Sequence, residues 1–368
     1  MKIKCKDIVS FLEKLAPPDL AEDWDNVGLI LGSSRQVVEK VLVCLDVTDK
    51  VAEEAVSNGI DLIVSHHPLI FKEMKRITED DFKGKLIYNL IKNNISVYSA
   101  HTNLDVADGG INECLAEIIG LREVKNLNKY KSEKLYKIVV FVPADSIERV
   151  REAMCNAGAG WIGNYSDCSF SIKGTGTFKP LEGTNPYMGK KGILEKVDEY
   201  RLETIVPQSL LNNVIDAMLN IHPYEEVAYD VYELARKGKE NGLGKVGLLS
   251  KPMKLEEFLM HIKKVLNAEN VRLIGNSQKE IKKVAVFCGS FDQEYSGIEK
   301  SGADILVTGD IKYHTALEMI EKGLCVIDAG HYNTERIIVP KLVSLINDKF
   351  KGIKVAASDM EEDPIKFS

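Results

Sequence analysis

The residues best suited to chemistry in this chain are five imidazole and carboxylate side chains in three separate stretches. His66 and His67 stand together in Ser65-His66-His67-Pro68, directly after the apolar run Ile60, Leu62, Ile63, Val64. Asp105 closes Ala100-His101-Thr102-Asn103-Leu104-Asp105, which follows Ile95, Val97 and Tyr98. His331 and Glu335 lie in Gly330-His331-Tyr332-Asn333-Thr334-Glu335, after Leu324, Val326 and Ile327. Each stretch begins where a buried strand is expected to stop, and strand ends of open α/β sheets are where ligands and metals bind. His66, His67, Asp105, His331 and Glu335 are therefore read as one cluster of metal ligands.

Imidazole and carboxylate together suit zinc, iron, manganese or cobalt better than a copper–thiolate or calcium site. Side chains of adjacent residues on extended backbone point to opposite sides, so neighbouring histidines hint at two ions. His331 and Glu335 converge if the chain between them is helical, and Pro340 limits that helix or begins a fresh one. Two ions sharing a carboxylate would lower the pKa of a water between them, making hydroxide the expected nucleophile, with no side chain assigned as catalytic. His101, Asp310 and His314 are expected to orient the ligands from behind. Lys72, Lys75, Arg76 and Lys312 read as a solvated face before a phosphate site, Trp24 as a packing anchor, His222 as structural and His261 as surface.

The elements that must position these residues alternate strand and helix. A helix over about Lys6 to Leu15 stops before Pro17 and Pro18. Val41 to Leu45 reads as a strand, Lys50 to Asn58 as a helix, Leu62 to Val64 as a strand, Phe82 to Asn93 as a helix, then a strand ending at Ala100 and a helix over about Gly110 to Ile119. This order predicts a mostly parallel sheet covered on both faces. The pattern then repeats: Lys40-Val41-Leu42-Val43-Cys44 and Gly59-Ile60-Asp61-Leu62-Ile63-Val64-Ser65 have counterparts 243 residues on, in Lys283-Val284-Ala285-Val286-Phe287 and Gly302-Ala303-Asp304-Ile305-Leu306-Val307-Thr308. Two related α/β halves, 1–131 and 236–368, are thus expected to offer strand ends to a shared metal cleft.

Between them, 132–235 changes texture. Tyr136 to Pro143 reads as a strand, Ser146 to Ala157 as a helix, Ser169 to Phe178 and Tyr200 to Val206 as strands, Gln208 to Ile221 as a helix and Glu226 to Leu234 as a strand. That order is an inserted ferredoxin-like α+β domain. The loop Gly183 to Gly192 is expected to be exposed.

Bulk composition narrows the classes. The 368 residues are 45% hydrophobic and 28% charged, an ordinary globular balance. A net charge of -7 makes nucleic acid an unlikely partner. Seven scattered cysteines with no close pair predict reduced thiols in a cytoplasmic protein, with no disulfide framework. No signal peptide or membrane span is read.

With these motifs in hand, the chain resembles the Nif-three-like family, also described as dinuclear metal centre hexameric proteins and labelled GTP cyclohydrolase 1 type 2 homologues. The resemblance rests on Asp23 to Gly28, Ser65-His66-His67-Pro68, His101 to Asp105, Gly309-Asp310 with Tyr313-His314, and Gly330 to Glu335. It implies the same five ligands, two divalent ions per subunit, and a toroidal homohexamer. The insert resembles the CutA or PII-like module of longer bacterial members, in which Gly174 to Phe178 and His222 to Glu226 are recurring stretches; that module trimerises in relatives, which implies a cap on the ring openings. The expected function is a metal-dependent hydrolase of a nucleotide or small phosphorylated substrate. A metal-delivery protein and a regulatory scaffold with a ligand-sensing insert are the alternatives.

Overall fold

The computed structural model describes residues 2–278, 280–291 and 295–366. It divides into two compact units: Met1–Lys131 with Asn241–Ser368, and Ser132–Glu240. The second boundary falls beyond the expected Ala235 because the strand Tyr229–Met253 runs unbroken through that position.

The larger unit contains both halves of the repeat. In the first, the parallel strands Lys40–Cys44, Leu62–Ser65 and Ser96–Ser99 lie side by side, with Lys354–Ala357 parallel at one edge and Gly28–Leu31 antiparallel at the other. In the second, Ile281–Ser290, Ile305–Gly309 and Val326–Asp328 are parallel neighbours, and Arg272–Ile274 is again the antiparallel edge. All four residues of Leu62–Ser65 are buried, as expected of a strand covered on both faces.

The repeat extends to individual bonds. Asp61 Oδ2 accepts the backbone N–H groups of Glu39 and Lys40 at 2.8 and 2.9 Å, and Asp304 Oδ2 accepts those of Lys282 and Lys283 at 2.9 and 2.7 Å. Lys40 Nζ donates to the Asn58 carbonyl, and its counterpart Lys283 donates to that of Ser301. The helix Asp49–Asn58 starts on the Thr48 hydroxyl, which accepts the Val51 N–H, and ends at Gly59 in the left-handed region.

Strand alternation divides the apolar side chains between layers. Val41, Val43, Leu62 and Val64 of one sheet and Val284, Val286, Ile305 and Val307 of the other share a single core with helices Cys5–Leu15, Ile111–Ile119, Leu255–Val265 and Ile338–Lys349. Leu42, Cys44, Ile63 and Val97 face the opposite way, onto helices Asp49–Asn58 and Phe82–Lys92. Ala285, Leu306 and Val326 pack with Ile298 and Met319 of the second half's outer helices. The central helices are thus held between two sheets, and each sheet carries further helices outside.

The smaller unit has strand, helix, strand, strand, helix, strand in order. Ser169–Phe178, Glu195–Pro207 and the Leu135–Pro143 stretch pair antiparallel in that spatial order. Val150 and Met154 of helix Ile147–Asn156 and Val214 and Met218 of helix Leu211–Ile221 bury Ile138, Val140, Leu202 and Val206. Among the described residues no helix is long and apolar enough to cross a membrane.

Candidate metal centre

The strand Leu62–Ser65 delivers the paired histidines. Its ladder continues one step further, because the N–H groups of His66 and His67 donate to the carbonyls of Cys44 and Leu45 at 3.2 and 2.9 Å. The Ser65 hydroxyl then donates to the His67 carbonyl at 2.8 Å and fixes the turn that lets both rings serve one centre. Asp105 sits on the short helix Thr102–Val106, and His331 and Glu335 bracket the single turn His331–Glu335. Pro340 lies in the first turn of the separate helix Ile338–Lys349, where its missing N–H costs nothing.

Glu335 is the hub. Its Oε2 lies 3.0 Å from His331 Nε2, 3.1 Å from His67 Nε2 and 3.7 Å from His66 Nε2. Asp105 Oδ1 stands 3.8 Å from His66 Nε2. Both His66 Nε2 and Glu335 Oε2 are buried without a well-formed hydrogen bond. Orphaned buried polar atoms are rare in folded proteins and costly, and a cation at their meeting point removes the cost. The histidine groups His66, His67, His101 and the group His67, His331, Glu335 each present donor atoms within 4.8 Å of one another, a spacing a metal ion can bridge. The residues present fit divalent ions.

Every ring is held from behind. His66 Nδ1 bonds the Ala100 carbonyl at 2.8 Å, His67 Nδ1 bonds Asp46 at 2.9 Å, His101 Nδ1 bonds Asp25 at 2.9 Å and His331 Nδ1 bonds Asp310 at 2.8 Å. An acceptor on Nδ1 fixes the tautomer with its proton there and leaves the Nε2 lone pair for a metal. Asp310 thus bonds the His331 nitrogen that is not the one beside Glu335. His101 does more than expected, since its free nitrogen joins the cluster. His314 is exposed on the first turn of helix Tyr313–Glu321 with Tyr313 beside it, because the helix turns that side chain outward.

The electrostatics follow from this packing. Burial alone would lower the His67 pKa, but the carboxylates of Asp46 and Glu335 beside it outweigh that and raise it to about 10. His331, opposed by burial and held by Glu335 and Asp310, rises to about 9. Burial would raise the Glu335 carboxyl, yet the three histidines around it hold it well below the usual range. Burial pushes Asp105 up, with the like charge of Glu335 adding to it. The Cys288 thiol, also driven well up by burial, stays protonated and contacts Asp105 Oδ1 at 3.3 Å.

Several contributors were not singled out from the sequence. Asp25 lies in Asp23 to Gly28, named above only for the resemblance, and Asp46 directly follows the apolar run Val41 to Leu45; neither has a spacing that marks it as a ring acceptor. Gly289, in the left-handed region, is required by proximity: a Cβ there would stand 2.2 Å from Glu335 Oε1. Trp24 is not a buried anchor but 57% exposed, with Phe71 beside it at 5.5 Å between ring centroids. His261 is part-buried, bonding the Ile119 carbonyl at 2.9 Å.

The fold recurs in known proteins. A "GTP cyclohydrolase 1 type 2 homolog" of Halalkalibacterium halodurans is 43% identical over 364 residues, covering 98% of each chain. The protein of the same name from Bacillus subtilis is 43% identical over 366 residues, again 98% of each. The crystal structure of a Bacillus cereus protein related to NIF3 superposes with a TM-score of 0.88 at 42% identity, covering 100% of both chains. Residues 3–364, which take in both halves, the unit between them and every member of the cluster, match the Duf34/NIF3 (NGG1p interacting factor 3) family, and the chain belongs to it.

Proposed function

We propose that the cluster binds two divalent ions and that the protein is a metal-dependent hydrolase of a nucleotide or small phosphorylated substrate. The observation that carries this reading is the placement of Glu335 Oε2, buried and within 3.0, 3.1 and 3.7 Å of the Nε2 atoms of His331, His67 and His66. One carboxylate in that place could be shared by two ions: His66, Asp105 and His101 would hold one, and His67 and His331 the other. Divalent ions held there supply Lewis acidity and lower the pKa of coordinated water.

The chain's own residues provide a place for substrate. A cavity of about 430 Å³ opens on His67 and His331 and is lined further by Asn270, Arg272, Tyr332 and Asn333. Its size suits a small-molecule ligand. Arg272, ion-paired with Asp328 and bonded to the Ile311 carbonyl, is held at the wall with its side chain half exposed. Its remaining guanidinium donors match a phosphate oxygen. The side chains of His67 and His331 are 23% and 33% exposed while that of His66 is fully buried, so substrate approaches from the His67–His331 side. The names of the curated relatives make GTP the first nucleotide to test.

Elemental analysis of the purified protein, paired with a hydrolysis screen of nucleotides and phosphoesters on the same sample, tests the proposal. Two ions per chain, with turnover abolished in His67→Ala, is the expected result. Two ions without turnover on any substrate would move the reading to metal delivery, and no bound metal would end it. The homohexamer implied by the family resemblance belongs to the same proposal, and sedimentation at the mass of one chain would refute it.

A further inference from the structure

The two stretches singled out in the smaller unit, Gly174 to Phe178 and His222 to Glu226, meet around a cavity of about 290 Å³ whose lining includes none of the metal-centre residues. Its walls include the rings of Phe178, Tyr187 and Tyr224, with Phe178 and Tyr187 each about one ring from Tyr224, at 6.0 and 6.1 Å between centroids. The two tyrosine rings are fixed: the Tyr224 hydroxyl donates to Glu199 Oε1 at 2.8 Å and the Tyr187 hydroxyl to Asp145 at 3.1 Å.

Glu199 is the unusual member. It is 8% exposed, it lines the cavity, and among the described residues no cationic side chain forms an ion pair with it. Its carboxylate lies over Gly176, where a Cβ would stand 1.9 Å from Glu199 Oε2, so the glycine is what admits it. A buried carboxylate without a cation is costly, and natural structures place one where a charge is to be met. Glu225, whose carboxylate accepts the Asn185 N–H at 2.9 Å, and Glu226 add two more negative charges at the wall against one ammonium, Lys179. Aromatic faces and uncompensated carboxylates together recognise a desolvated organic cation.

We propose that this cavity binds a small organic ammonium compound, held against Phe178, Tyr187 and Tyr224 and neutralised by Glu199. The site is independent of the metal centre and of the hydrolase reading.

Choline and its neutral carbon isostere, dimethylbutanol, are the probes, titrated against the full-length protein and followed by ligand-observed NMR. Choline is expected to bind saturably and the isostere about ten-fold more weakly, the size of one cation–π and ion-pair contribution. Glu199→Gln, which keeps the Tyr224 hydrogen bond, is expected to erase that discrimination. Tyr224→Leu is expected to weaken choline itself and answers the question if the first variant does not fold. His67→Ala is expected to leave choline binding unchanged. Equal binding of the two probes, no binding of choline, or discrimination that survives both cavity substitutions would overturn the proposal.

Discussion

His67 and His331 approach each other through their Nε2 atoms, 3.4 Å apart, while their Nδ1 atoms point away to Asp46 and Asp310 at 2.9 and 2.8 Å. The pair is contributed by opposite halves of the repeat and has one polarity: carboxylate, imidazole, shared centre, imidazole, carboxylate. Each aspartate fixes a tautomer and a ring plane without reaching the centre itself.

Asp46→Asn and Asp310→Asn are therefore expected to weaken metal binding by about 10- to 100-fold while leaving the fold intact. An amide can present its NH₂ to Nδ1 and reverse the tautomer, so the loss should exceed that in the matching alanine variants. Competition with a chelator of known affinity, alongside circular dichroism, checks this. Unchanged affinity in both variants would mean the rings are positioned by packing alone.

Removing the metal should make the pH dependence visible. In the metal-free protein His67 and His331 have pKa values raised to about 10 and 9 from 6.5. Folded-state values above the unfolded ones mean that the stabilisation is complete below pH 6.5 and is lost as pH rises through 9 and 10. Chelator-treated protein should therefore unfold at lower denaturant concentration at pH 10 than at pH 7. Metal binding at pH 7 must also expel these protons, so calorimetric titrations in buffers of different ionisation enthalpy should differ. Identical heats in every buffer would contradict the protonated cluster.

Much of this is legible in the sequence. Strand ends expected at Val64 and Ala100, where the structure has Ser65 and Ser99, follow from apolar runs that stop at polar residues, and the constant spacing between Asp61 and Asp304 places the second half on the first. The paired Asp61 and Asp304 bonds to backbone N–H groups explain why that spacing is kept. What could not be read was contact across the cleft. Asp46 and Asp25 have no local periodicity that marks them, and their role depends on which ring nitrogen faces them. Trp24 was misjudged because an aromatic between acids usually buries itself, whereas here its neighbours Asp25 and His101 belong to the rim of the centre. The Ala235 boundary failed because a strand can leave one unit and enter another without a turn.

Two glycines in the same backbone region separate strain from proximity. Gly289 and Gly302 have φ of 62 and 64°, but a Cβ at Gly302 meets nothing within 4 Å while one at Gly289 meets Glu335 Oε1 at 2.2 Å. Both alanine variants bear the left-handed penalty of about 1–2 kcal/mol. Gly289→Ala should in addition displace Glu335 and lose metal, and Gly302→Ala should keep its metal in full. Equal metal content in the two would show that Glu335 does not depend on the clearance at Gly289.

The smaller unit should respond to acid through His222. Its Nε2 bonds the Phe141 carbonyl at 3.1 Å and its Nδ1 accepts the Tyr224 N–H at 3.1 Å, an arrangement that requires the neutral ring. Burial lowers its pKa below 6.5, so the unfolded chain binds the extra proton first. Stability then falls as pH drops below 6.5 and stops falling once the folded ring also titrates. The chain has two tryptophans, Trp24 in the larger unit and Trp161 in the smaller, so in a Trp24→Phe background denaturant unfolding followed by fluorescence reports on the smaller unit. The midpoint is expected to move down between pH 7 and pH 5, and His222→Gln is expected to flatten that change at the cost of a lower midpoint at pH 7. A pH dependence that persists in His222→Gln would assign it to another group.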